Sequence, residues 1–561
     1  MDTRAPVLQS ALDAFFASYY GRHPVSATFA GIHDHDDRLP DYSERALGDS
    51  IADIDALAHR FRLLPPEPAA EMEALDRTLV EGALAIERWE HGSAHFYRDN
   101  PCEYTGEAVF GVIALLLRPF APVRERLEAA VARMRAIPRL LAQGQDNVRR
   151  SPPAWTDLAI RECTGARLLF REGIGLFLQE HSLADERAEA AAAEAEGAFG
   201  RFQAYLERDL RLQITDRYAC GEEGLHLLLT RGHFLPWDAP ALLALGEEQV
   251  AACEQSLEVQ ARDAGVPDWR TALTRLSDRR PTPERYYARY GELWEASRVA
   301  AEAHGLVTWP DLPVRFVPQP MWARGAWPYL YFLPYRSPAP HDRLPETEYL
   351  VTPVEPDMEA LEQARRLRAA NDCVIKLNHV VHHGGIGHHI QNWYAARAAS
   401  RIGRVAAVDC ARRIAMICGG TMAEGWACYA TDLMDAVGFL TPLERCAHIH
   451  GCLRRAARAI VDVKLHRRSI TLEEAATFYR ERVGMAPEAA HAEAVKNSMF
   501  PGTALMYLAG TELMWRLRRD LAAQRPGAFD LRAFHERVLS YGSAPVALIS
   551  RAMRGELART N

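Results

Sequence analysis

Apolar residues recur at intervals of three and four along most of this 561-residue chain, a pattern that commits it to helices packed on helices. In residues 122–137 the apolar positions Val123, Leu127, Val131 and Met134 fall 4, 4 and 3 apart, with Pro122 suited to a first helical turn. Residues 184–210 are rich in Ala and Glu, both strong helix formers. The same period runs through 239–264, 283–304, 358–377 and 443–463, and the amphipathic start MDTRAPVLQSALDAFF reads as a first helix. One tract departs from it. Between 312 and 354 Pro is frequent, and β-branched and aromatic residues form short runs at 314–317, 329–333 and 349–351. These read as short strands of a small sheet, with Pro confined to edges and ends. The expected fold is mainly α: one large helical unit over residues 1–561 with a small sheet region at 312–354.

Composition narrows the class of function. Lys and Arg total 66 against 74 Asp and Glu, a net charge of −8, with 48% hydrophobic and 25% charged residues. These values are ordinary for a globular protein and exclude disorder, collagen and coiled coil as the dominant state. The acidic balance speaks against nucleic acid as a partner. The longest apolar run, 108–117, is far short of the ~20 residues that span a bilayer, so no membrane partner is expected. The start of the chain lacks the basic and apolar regions of a signal peptide, and a cytoplasmic protein is expected. Ten Cys without a C-x-x-C pair read as reduced thiols, mostly small core residues, rather than a thiolate zinc site.

The 21 His are unevenly spread, with His379, His382, His383, His388 and His389 falling within eleven residues and Gly384, Gly385 and Gly387 among them. Imidazole is the commonest metal ligand among side chains. His379 and His383 have the four-residue spacing of two ligands on one helix face. His382 with His388 or His389 would meet one ion only if the helix breaks between them. The three glycines, each about 1 kcal/mol worse than Ala in a helix, supply that break. A carboxylate is the usual further ligand, and Glu424 is the only acid between Asp409 and Asp432, in an apolar helical stretch. Buried without a partner it would be costly, and a metal ion or an Arg would resolve that cost.

These residues resemble the bacterial domain-of-unknown-function 885 family, whose fold is similar to the helical metallopeptidases of the carboxypeptidase Taq and angiotensin-converting-enzyme type. The family pattern H-E-x-x-P-G-H-H-x-Q, followed by E-G-W, is matched here by HHGGIGHHIQ from His382 to Gln391 and by Glu424-Gly425-Trp426. Near the start, Ala27-Thr28-Phe29-Ala30-Gly31-Ile32-His33-Asp34 resembles A-T-x-x-G-I-H-D. Near the end, Pro501-Gly502-Thr503-Ala504 with Tyr507 resembles P-G-x-A-x-x-Y. Phe534-His535 through Leu539, Gly542 and Pro545 resemble F-H-D-x-L-L-x-x-G-x-x-P. The resemblance implies two helical lobes around a deep cleft. It implies one divalent metal ion, zinc first, held by His382, one of His388 or His389, and Glu424. Tyr507 and His535 would be donors to an oxyanion. The short strands would lie at the cleft edge, where an extended peptide substrate could add a strand.

The sequence departs from that pattern where it matters most. The motif Glu is His383 here, and the motif Pro is Ile386. In a zinc peptidase that Glu takes a proton from the water being activated, a role worth roughly 10²–10⁴ in rate. Three readings follow. His383 replaces the base, since an imidazole titrates near 6.5, and the enzyme hydrolyses a small peptide, amide or ester. Alternatively His383 is an added ligand in a site that suits iron or manganese as well as zinc, and the fold hosts a lyase, decarboxylase or oxidase of a specialised pathway. In the third, the site is inactive and the protein binds a peptide without cutting it. Arg516 and Arg518 on the amphipathic stretch 505–521, and Arg324 and Tyr331 near the strands, are candidates to bind a substrate carboxylate. No serine-hydrolase elbow, phosphate loop or dinucleotide fingerprint is present.

Overall fold

A computed structural model describes residues 4–65, 70–330, 335, 337–411 and 415–557. The fold is mainly α-helical, as the periodicity predicts. The first part is laid down by Arg4–Arg22, Glu44–Arg62, Glu71–Gly92, Cys102–Leu117, Val123–Asn147, Pro153–Leu168 and Glu186–Arg208. The apolar run at 108–117 lies inside Cys102–Leu117, a helix buried on every side rather than on one stripe. Among the described residues no helix is long and apolar enough to cross a membrane.

The elements that build the site follow. They are α1 (Tyr286–Ala303), β1 (Val314–Pro318), β2 (Thr347–Val351), a π-helix (Ile375–Gly384), α2 (His388–Ala395), α3 (Thr421–Ala436), α4 (Pro442–His466), α5 (Met506–Gln524) and α6 (Leu531–Leu539). α4 opens on a capping box, with the Thr441 hydroxyl on the Glu444 amide and the Glu444 carboxylate on the Thr441 amide. The helix expected at 358–377 is broken in two. Ala360–Ala369 ends, and the Asn371 side chain accepts from the Cys373 and Val374 amides, both at 3.1 Å, starting a new turn that runs into the π-helix.

The sheet is smaller than the three runs suggest. β1 and β2 pair in parallel, with Val314 opposite Thr347 and Pro318 opposite Val351. A parallel pair needs a long crossover, which residues 319–346 provide. Of the run at 329–333, Tyr329 closes a 3₁₀ turn that contains Pro328, a residue with no amide to give a ladder. Residues 331–333, Tyr331 among them, lie outside the described residues.

Buried apolar side chains from Leu8 to Leu557 form one contiguous cluster. A second cluster joins Tyr286 and Tyr290 of α1, Tyr349 and Val351 of β2, and Ile375 and Val380 of the π-helix. Burying one such side chain contributes about 1.5–3 kcal/mol, so this cluster fixes the sheet against the histidine-bearing segment. All ten cysteines are free thiols, eight of them buried.

Candidate metal centre

The histidine segment is not an ordinary helix. Residues Ile375–Gly384 wind as a π-helix, a conformation that is rare and concentrated at functional sites. It ends in an abrupt reversal through Gly385 and Gly387, and the Gly387 amide donates to the Val381 carbonyl at 2.9 Å. A Cβ added at Gly387 would stand 1.9 Å from the His382 carbonyl oxygen, so no larger residue fits. The reversal brings His388, the first residue of α2, back against His382, with ring centroids 4.8 Å apart. Six residues of sequence thus become one site.

Three donors converge there. His382 Nε2 lies 3.3 Å and His388 Nε2 3.5 Å from Glu424 Oε2. That oxygen is buried and makes no hydrogen bond. With metal–donor bonds of about 2.0–2.1 Å, two donors on a tetrahedral zinc stand about 3.3–3.4 Å apart. The two separations to Glu424 match that spacing, and the carboxylate oxygen without a hydrogen bond is the atom an ion would satisfy. The donor set of two imidazoles and one carboxylate therefore fits a divalent cation.

Glu424 is placed by close helix packing. It lies in the first turn of α3, where the helix dipole favours a negative charge. The next residue, Gly425, faces Gly510 of α5: a Cβ on Gly425 would come within 2.5 Å of the Gly510 backbone. Trp426 Nε1 donates to the Ile386 carbonyl at 2.8 Å, tying α3 to the glycine reversal. Burial pushes the Glu424 carboxyl up, but the imidazoles of His388 and His382 override it and hold it well below the usual range.

His383 stands beside these donors. A nitrogen of each of His382, His383 and His388 lies within 4.8 Å of the others. His383 Nδ1 is 3.3 Å from the Tyr349 hydroxyl, which also bonds His379 Nδ1. Tyr335 stacks on the His383 ring at 6.3 Å. Burial, then the neighbouring His382, His388 and His379, drive the His383 imidazole far below its ordinary value. The four-residue pair His379 and His383 thus meets at a tyrosine hydroxyl rather than at the Glu424 donors.

The remaining candidates are set in other contacts. His389 points away from its neighbour, with Nε2 2.8 Å from the Leu312 carbonyl. Between His388 and His389, His388 is the one brought to Glu424. His535 sits between two partners, Nδ1 2.6 Å from the Leu306 carbonyl and Nε2 2.9 Å from the Tyr429 hydroxyl. The Tyr507 ring lies under the Arg458 guanidinium, 4.7 Å from it. Arg516 pairs with Glu512 at 2.6 Å and covers Trp237. Arg518 donates to the Tyr429 hydroxyl at 3.2 Å. Arg324 pairs with Glu355 at 3.0 Å and bonds the Gln319 carbonyl. Tyr349 and Tyr335 were not among the residues singled out from sequence. Only the β-branched and aromatic run around Tyr349 hinted at an element, and no local spacing tells which helix it faces.

A mainly α-helical protein with a His-His-Glu donor cluster at a π-helix, walled by a two-stranded sheet, is the class these features define. The chain belongs to a family of bacterial proteins of unknown function (DUF885), whose profile matches residues 24–553. No curated protein matches it. Two solved structures share its fold. One, described as "a putative lipoprotein of unknown function" from Shewanella oneidensis, has a TM-score of 0.78 at 20% identity, over 98% of this chain and 99% of that one. The other, described as "the putative lipoprotein" from Colwellia psychrerythraea, has a TM-score of 0.77 at 16% identity, over 99% of this chain and 100% of that one.

Proposed function

We propose that this protein is a metal-dependent hydrolase-like enzyme acting on a small peptide, amide or ester, with His382, His388 and Glu424 holding one divalent ion, zinc in the first instance. The observation that carries this reading is the convergence of two imidazole nitrogens on a buried carboxylate oxygen that has no hydrogen bond. A divalent ion bound there supplies Lewis acidity toward water and toward a carbonyl oxygen. His383 occupies the place of the family's glutamate and takes the proton released by the attacking water. The Tyr349 hydroxyl, bonded to His383 Nδ1, orients that ring. The cleft and the likeness to helical metallopeptidases belong to this proposal. So does a cytoplasmic setting, supported by ten unpaired thiols.

Metal analysis of the purified protein comes first. About one zinc per chain is expected, falling at least tenfold in Glu424→Ala and His388→Ala, and a chain that binds no metal sinks the proposal. Zinc together with cleavage of members of a dipeptide, amide and aminoacyl-ester panel supports hydrolysis. His383→Glu separates the roles of that residue. A rise in peptidase activity marks His383 as a weakened base, whereas loss of native activity gives it a role of its own.

A second reading rests on the nearness of His383 to two of the three donors. A three-imidazole, one-carboxylate set suits iron or manganese and non-hydrolytic chemistry. Stoichiometric iron or manganese, with no turnover of the hydrolase panel, would favour it.

A further inference from the structure

α3 carries a second line of functional groups away from Glu424. Cys428 and Asp432 follow at four-residue steps, about 6 Å of helical rise each. Asp432 faces α4, where His448, Cys452 and Arg455 fall one turn apart. His448 Nε2 lies 3.1 Å from Asp432 Oδ1 and 4.0 Å from Cys452 Sγ. Arg455 donates to Cys452 Sγ and stands 3.5 Å from Asp432 Oδ1. Trp515 Nε1 of α5 fixes the other Asp432 oxygen at 2.9 Å. Cys428 and Cys253 flank the group from α3 and from the helix Ala239–Asp263.

The contacts around Asp432 assign the protons. The 3.1 Å approach of His448 Nε2 to Asp432 Oδ1 places the ring hydrogen on that nitrogen, because Trp515 and Arg455 already hold Asp432 as an anionic acceptor. His448 Nε2 is therefore a donor, and Arg455 offers donors only. The Cys452 sulfur thus accepts from the Arg455 guanidinium and has the His448 ring 4.0 Å away, a cationic setting that stabilises a thiolate. Electrostatics agree. Burial raises the Cys452 thiol, but Arg455 and His448 bring it below the ordinary thiol value. Burial lowers the His448 imidazole, yet Cys452 and Asp432 together raise it to about 10. Cys452 is also half-buried rather than fully enclosed. Of the ten thiols only Cys220 and Cys452 are not buried, and burial pushes the Cys220 thiol up instead.

Asp432, His448 and Cys452 could in principle hold a cation. The Arg455 guanidinium already serves both anionic groups of that set, which disfavours a second positive charge. We propose that Cys452 is a resting thiolate nucleophile, held by Arg455 and His448, that reacts with small peroxides from solvent. The sulfur attacks one peroxide oxygen, forming the S–O bond as the O–O bond breaks. The sulfur is oxidised to a sulfenic acid and the peroxide is reduced. The departing hydroxide takes the proton of His448 Nε2 and leaves as water.

The test uses the full chain with its metal content unaltered. Limiting iodoacetamide is applied from pH 6 to 9 and the labelled cysteines are read by peptide mass spectrometry. Cys452 is expected to react at least tenfold faster than Cys220 at pH 7, with less than a threefold change in rate from pH 7 to 9. With hydrogen peroxide and dimedone, Cys452 should carry the first equivalent of label, and Cys452→Ser should remove it. His448→Gln should slow the peroxide reaction at pH 7 at least threefold. The proposal is overturned if Cys220 or a buried cysteine labels first, or if the Cys452 rate climbs nearly tenfold per pH unit through 8. It is also overturned if a stoichiometric metal must be stripped before Cys452 reacts. The wild-type pH profile needs no variant, so a misfolded mutant cannot hide the answer.

Discussion

Gly387 carries the tightest steric constraint in the candidate centre. Its absent Cβ would fall 1.9 Å from the His382 carbonyl oxygen, closer than any real contact. Gly387→Ala must therefore open the reversal and move His388 away from Glu424. Overpacking of this kind costs roughly 1–3 kcal/mol. On the proposed metal site, metal content should fall from about one equivalent to a small fraction, while far-UV circular dichroism keeps the helical signal. Retention of full metal occupancy would show that the reversal does not set the donor geometry. Tyr349 acts differently, because its hydroxyl bonds His379 and His383, which are outside the donor set of His382, His388 and Glu424. If His383 is the base, Tyr349→Phe should lower kcat about tenfold and leave metal content and KM nearly unchanged. The glycines were legible in the sequence as a break, since three in four positions defeat a regular helix. Which histidines converge was not legible. On an unbroken helix residues six apart diverge, and the angle of the break is fixed by contacts distant in sequence.

Elements hold these residues in register. The Trp426 indole bonds the Ile386 carbonyl, which ties α3 directly to the glycine reversal. Trp426→Phe keeps most of the ring volume and deletes that bond. A neutral hydrogen bond contributes about 0.5–1.5 kcal/mol net, and removing an outer partner of a metal site weakens affinity about 10–100-fold. Zinc affinity measured by competition with a chelator should fall in that range while Tm drops by only a few degrees. An unchanged affinity would mean that Gly425 against Gly510 alone places Glu424. The long helices were legible because their apolar stripes repeat over many turns, as in α4 and Val123–Asn147. The break at Asn371 was hidden because Asn is a cap only when the backbone there is already non-helical. The π-helix left no trace in the spacing, because its wider winding is not signalled by any local residue pattern, and it packs against α1 and β2. β1 and β2 were legible as short apolar runs, but not their parallel pairing, which depends on a crossover of 28 residues.

At the scale of the whole molecule, buried histidines make stability depend on pH. His95, His233, His466 and His535 are buried away from the donor cluster, each against a carbonyl oxygen. Burial lowers His95 to about 3 and His233, His466 and His535 to about 4. In the unfolded chain each returns to about 6.5. Between those values the unfolded state binds more protons than the native state, so stability rises with pH. The contribution of these four groups is complete above pH 6.5 and is lost as pH falls toward 4. Each group adds a slope of up to about 1.4 kcal/mol per pH unit, and four acting together make the acid limb steep. Urea midpoints at half-unit steps from pH 4.5 to 7.5 should fall on the acid side, with these four histidines contributing about four of the protons taken up on unfolding near pH 5. His535→Gln retains a donor toward the Leu306 carbonyl and removes the titration, so uptake should drop by about one proton. A profile with the same slope in wild type and variant would mean that His535 is already protonated in the folded chain. That result would also require a different partner for its Nε2 than the Tyr429 hydroxyl acting as donor.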